Sequence, residues 1–170
     1  MFADDTCLYI DIDHDKPKKR DNMDQAKIDM DRNLNNVNEW SNEWIVNFNA
    51  AKTKTMIISN RNVNHPDIEF AGTTLTNVTN HRHLGVILTN RLTWSDHISH
   101  ILESSSKMLH VTRKLQYQLD RESLDVIYRS FIRPKLEYAS QIWDNCNDGD
   151  SIKLENFQLA AARIVTGAKK

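Results

Sequence analysis

Two carboxylates stand side by side in the run MFADDTCLYIDI, at Asp4 and Asp5. Adjacent acids repel each other at neutral pH unless a positive group neutralises them. A hard divalent cation such as magnesium does this well, because it prefers carboxylate oxygens. Carboxylates at the tip of a rigid hairpin can hold two such ions, one activating an attacking hydroxyl and one steadying the leaving oxygen. A second chemistry-bearing group is basic. Lys107, Arg113 and Lys114 fall on one helical pattern with Arg121 just beyond, and His97, His100 and His110 are interspersed. Such a series can track a phosphate backbone. His81 with His83 and His97 with His100 are spaced as zinc ligands could be, but no cysteine pairs with them, which argues for ordinary solvated or packed histidines. The KPKKR run around Pro17 reads as a solvated basic loop.

These residues need elements to position them. TCLYIDID alternates, with Leu8, Ile10 and Ile12 on one side, and predicts a strand with one buried face. From about Asp24 to Trp44 the period changes. Ala26, Met30, Leu34, Val37, Ser41 and Trp44 recur at three and four residues and predict a helix, with Trp40 and Trp44 as core aromatics. TMIIS predicts a short buried strand, and IEFAGTTLT two short strands around Gly72. HRHLGVILT predicts one further strand with Leu84, Val86 and Leu88 on a common face. Thr93, with Asp96 three residues later, signals a helix start. Ile98, Ile101, Leu102, Ser105, Leu109, Thr112 and Leu115 continue its stripe to about Leu119. Asp120 caps a second helix, which Pro134 breaks or kinks. Ser151 opens a last helix that ends at Gly167.

The totals bound the class. The 170 residues carry a net charge of −1, with 39% hydrophobic and 26% charged residues, enough for a packed core and too few charges for wholesale disorder. Cys7 and Cys146 form no CxxC pair, which predicts a reduced, intracellular setting without a disulfide framework. No apolar run approaches a membrane span, so no membrane partner is expected.

Taken together, the blocks resemble the reverse transcriptases of non-long-terminal-repeat retrotransposons. FADDT followed by an apolar strand is similar to the family's aromatic-Ala-Asp-Asp motif. EWSNEWIVNFNAAKTKTMIIS resembles the next block, a tryptophan-bearing helix running into Asn-x-x-Lys-Thr and a strand. HRHLGVILTNRLTWSDHI resembles the block after it, and SFIRPKLEYASQIWDN and LENFQLAAARIVTGA continue the likeness in family order. The resemblance implies that Asp4 and Asp5 are the magnesium carboxylates of a two-metal polymerase palm and that Phe2 packs beside the primer end. It implies that Lys52 lies near the incoming triphosphate and protonates the leaving pyrophosphate. Leu84, Gly85 and Val86 would form the primer grip, glycine admitting close approach of a nucleic-acid backbone. The helix bearing Lys107, Arg113 and Lys114 would belong to the thumb.

The expected fold class is therefore α+β. Residues 1–90 are read as the carboxyl-terminal part of a palm, a short antiparallel sheet plus one helix, and 91–170 as an all-α, thumb-like subdomain. The expected partners are an RNA template and a DNA primer. Only Met1, Phe2 and Ala3 precede the acid pair, while the family's fingers and another palm carboxylate come before it. The chain alone is therefore expected to be inactive, with possible self-association through the sheet edge beside Ile10 and Ile12. The alternatives are a non-catalytic RNA- or DNA-binding remnant and a helical interaction module.

Overall fold

The computed structural model describes residues 5–12 and 19–168, which divide into two compact units between Thr79 and Asn80. In the first unit, helix α1 (Lys19–Glu43) presents Met30, Leu34 and Val37 at spacings of four and three, so they share a face. That face packs on Ile68, Phe70 and Leu75, with Phe48 and Ala50 at the margin. Phe48 meets Phe70 edge-on at 6.1 Å. Strands β1 (Lys54–Thr55), β2 (Glu69–Phe70), β3 (Thr73–Thr74) and β4 (Thr76–Asn77) are two residues each. β2 and β3 pair antiparallel across Ala71–Gly72, whose φ angles of 49° and 73° are both positive, as a type I′ turn requires. β1 pairs with β4 in parallel.

Three expectations for this unit need correction. Residues 6–12 join no sheet: the alternation in TCLYIDID is present, but a strand needs a neighbour for its N–H and C=O groups and no described segment pairs there. Leu8 and Tyr9 are accordingly exposed, and Ile10 and Ile12 are half-buried. TMIIS contributes only Thr55 to a ladder, and Ile58 is exposed. Trp40 and Trp44 are 46% and 63% exposed rather than core. The helix stops at Glu43 and Ile45 turns left-handed at φ 56°, so Trp44 leaves the buried stripe.

In the second unit, HRHLGVILT is a hairpin rather than one strand. β5 (Asn80–His83) and β6 (Val86–Thr89) pair antiparallel with His83 opposite Val86, leaving Leu84–Gly85 as a two-residue loop. Helix α2 (Ser95–Leu115) follows and buries His97, Ile98, Ile101, Ser105, Leu109 and Thr112, close to the expected stripe. Its cap is not Thr93. The Thr93 hydroxyl lies 3.0 Å from that of Thr89, and Trp94 occupies the cap position without a side-chain bond. One end of α2 packs with Val86, Trp94 and Trp143; the other packs with Ile132, Leu136, Ala161 and Ile164.

Helix α3 (Arg121–Ile127) begins at Asp120, whose carboxylate accepts from the Ser123 amide at 2.7 Å, as expected. Beyond it, Tyr128–Ile132 winds as a π turn into α4 (Arg133–Glu137). Pro134 explains the wide turn: it lacks an N–H, and its ring would meet the carbonyl four residues back in a regular helix. Helix α5 (Ser140–Trp143) and helix α6 (Asp148–Thr166) complete the unit. α6 starts before Ser151, because Asn147 is the cap and its side chain accepts from the Asp150 amide at 2.9 Å. It ends at Gly167, left-handed at φ 70°, as expected.

Candidate nucleic-acid interface

The tip of the β5–β6 hairpin is built from two consecutive left-handed residues. Leu84 and Gly85 both have positive φ, 46° and 86°. Glycine takes this conformation freely, whereas a leucine there is held against a steric penalty. The Tyr138 hydroxyl donates to the Leu84 carbonyl at 2.8 Å. The Tyr138 ring lies 3.1 Å from where a Gly85 Cβ would sit. Gly85 therefore makes room for a tyrosine of this chain. Leu84 stays 38% exposed, while Val86 is buried in the core with Trp94 and Trp143. Of the three residues expected to grip a primer, Leu84 and Gly85 form the tip and Val86 anchors it.

Two buried polar groups fix the hairpin and the helix ends behind this tip. His97 is fully buried, and its Nδ1 accepts from the Ile87 amide at 3.3 Å. That bond places the ring proton on Nε2, which has no hydrogen-bond partner. Burial pushes the His97 pKa below the ordinary histidine range, and the charges of His100 and Arg82 push it the same way. Asp150 is 1% exposed. It accepts from Ser95 at the start of α2, from Asn147 and from Lys153. These partners, Lys153 first, hold its carboxyl below the usual range.

Along α2, Lys107, His110 and Lys114 are spaced by three and four residues and are exposed, so they share one outward face, with Arg113 beside it. Arg113 and Lys114 also occupy the last turn, where cations complement the helix carbonyls. Arg121 stands apart from this row: its guanidinium lies 3.3 Å from where a Gly167 Cβ would sit, at the carboxyl end of α6.

In the first unit, Lys52 is exposed in a turn that Asn49 organises. The Asn49 backbone and side-chain oxygens accept from the Lys52 amide at 3.0 and 3.2 Å, and the Thr53 hydroxyl donates to the Asn49 carbonyl at 3.0 Å. The Asn-x-x-Lys-Thr spacing is thus a side-chain-capped turn that presents the lysine to solvent. Asp5 is exposed. Phe2 and Asp4 lie outside the described residues. Among the described residues no three His, Cys, Asp or Glu side chains are grouped to share a metal ion. Nor do His81, His83, His97 and His100 gather into a zinc site among them.

Comparison with known proteins supplies the wider context. The chain is 24% identical, over 99% of its length, to a probable RNA-directed DNA polymerase from transposon X-element of Drosophila melanogaster. It is 28% identical over 79% of its length to the RNA-directed DNA polymerase from mobile element jockey of Drosophila funebris, and 24% identical over 98% to that of Drosophila melanogaster. This chain is a relative of the non-long-terminal-repeat retrotransposon reverse transcriptases. It spans 18%, 15% and 18% of the length of these three curated relatives. No protein-family model and no solved structure matches it.

Within this reverse-transcriptase relative, sequence reasoning missed Tyr138. What sets it apart is a left-handed corner: Ala139 follows at φ 53°, and the Tyr138 carbonyl accepts from the Trp143 indole at 2.9 Å. Nothing in EYAS marks such a corner, since alanine favours helix. Among the described residues no helix is long and apolar enough to cross a membrane.

Proposed function

We propose that this chain is a segment of a retrotransposon RNA-directed DNA polymerase that contacts the hybrid of RNA template and DNA primer. The observation that carries this reading is the likeness to such polymerases along nearly the whole chain. In this reading the first unit and the β5–β6 hairpin, residues 1–90, are the end of a palm, and residues 91–170 are a thumb-like subdomain. Leu84 and Gly85 meet the primer strand, and Lys107, Arg113 and Lys114 on α2 meet phosphates. Asp4 and Asp5 contribute carboxylates to a magnesium site, Phe2 packs by the primer end, and Lys52 faces the triphosphate. No catalytic step is assigned to the chain of 170 residues by itself.

The test combines binding and extension. Fluorescence anisotropy with a labelled RNA–DNA hybrid should show affinity that falls with salt. Replacing Lys107, Arg113 and Lys114 by Gln should lower the salt slope by about one for each phosphate no longer neutralised. Primer extension with magnesium should yield no product from the isolated chain. Hybrid binding that is absent at low salt, or insensitive to salt, would overturn the reading.

A further inference from the structure

The Leu84–Gly85 loop has the geometry of a type I′ turn, which favours Asn-Gly because both central residues need positive φ. Leucine is a poor choice on those grounds. Burial does not compensate, since Leu84 is 38% exposed. Something outside the turn must hold it, and Tyr138 does so twice. Its hydroxyl takes the Leu84 carbonyl, and its ring occupies the space over Gly85. Tyr138 is 54% exposed, yet its own backbone is pinned by the indole of the buried Trp143 and turned by left-handed Ala139. Two non-glycine residues in left-handed conformation thus flank a single hydrogen bond. Strain of this kind persists only where surrounding structure enforces it, and it clusters at functional contacts.

We propose that Tyr138 is the positioning residue of the Leu84–Gly85 tip, holding the turn so that Leu84 and the exposed tyrosine ring edge meet an RNA–DNA hybrid together. The proposal rests on the reading of this hairpin as a nucleic-acid contact. Aromatic and aliphatic surface beside a glycine suits the sugar and base faces of a bound strand, which carry no net charge.

The experiment uses the chain of 170 residues with Tyr138→Phe, Tyr138→Ala, Gly85→Ala and the double variant Tyr138→Ala/Gly85→Ala. Tyr138→Phe keeps the ring and removes the hydrogen bond. It should weaken hybrid binding about 3- to 10-fold, the range set by one hydrogen bond. The salt slope should not change, because no phosphate-binding charge is removed. Hydrogen exchange across residues 83–86 should quicken while the urea midpoint of the unit holds. Gly85→Ala should cost less affinity in the Tyr138→Ala background, where no ring is met. Wild-type affinity in both Tyr138 variants, or affinity that falls only in proportion to the urea midpoint, overturns the proposal. A wild-type chain that binds no hybrid overturns the nucleic-acid reading instead. Exchange across 83–86 then decides the positioning role, and unchanged exchange in Tyr138→Phe refutes it.

Discussion

His97 joins a hairpin to a helix through a ring that water does not reach. Protonating it would place a proton on Nδ1, break the bond from the Ile87 amide and bury a charge near Arg82 and His100. The folded chain therefore resists a proton that the unfolded chain accepts near pH 6.5, the ordinary histidine value. With the folded pKa lowered, this contribution is complete above the unfolded value and is lost as pH falls through the folded one. Urea midpoints should drop between pH 7.5 and 5.5, and His97→Gln should flatten that part of the profile. In the sequence His97 is only one of several histidines on a helix. Its burial becomes visible once Ile98 and Ile101 fix which side of α2 faces inward.

Elements are legible where one strong local signal decides them. Asp120 and Gly167 cap as their types suggest, and the α2 stripe follows from its spacing. Elements are hidden where a residue stands in an unfavourable role. Leu84 conceals a hairpin turn inside what reads as a continuous strand, and Asn147 caps ahead of the more obvious Ser151. The hairpin gives a prediction at this scale. Leu84→Asn supplies a residue suited to positive φ, so the stability of the second unit, read from its urea midpoint, should hold or rise, by up to about 1 kcal/mol. Hybrid affinity should fall at the same time because the apolar tip is gone. A midpoint that drops would show that the leucine itself stabilises the turn.

At the scale of the whole chain, each unit carries its own apolar cluster, one around Leu34 and Phe70 and the others along α2. Phe70→Ala should cost roughly 3–5 kcal/mol. By hydrogen exchange that destabilisation should speed exchange within residues 22–79 and leave 80–168 largely protected. The α+β class is readable from the change of period along the chain. The pairing of the small strands is not, because two-residue ladders such as β1 with β4 leave almost no periodicity to detect. The π turn bears on chain length itself. Tyr128–Ile132 winds one residue more than a regular turn holds, and Leu124, Ile132 and Leu136 stay buried across it. Removing exposed Ser130 would leave Leu124 and Leu136 eleven positions apart, within ~20° of the same side on an ordinary helix. Only the proline would then object, deprived of the slack that accommodates its ring. Deleting Ser130 alone should therefore destabilise the second unit in urea melts, whereas deleting it together with Pro134→Ala should recover much of that stability. The spare serine and the proline are, on this account, one inheritance, tolerable together and costly apart.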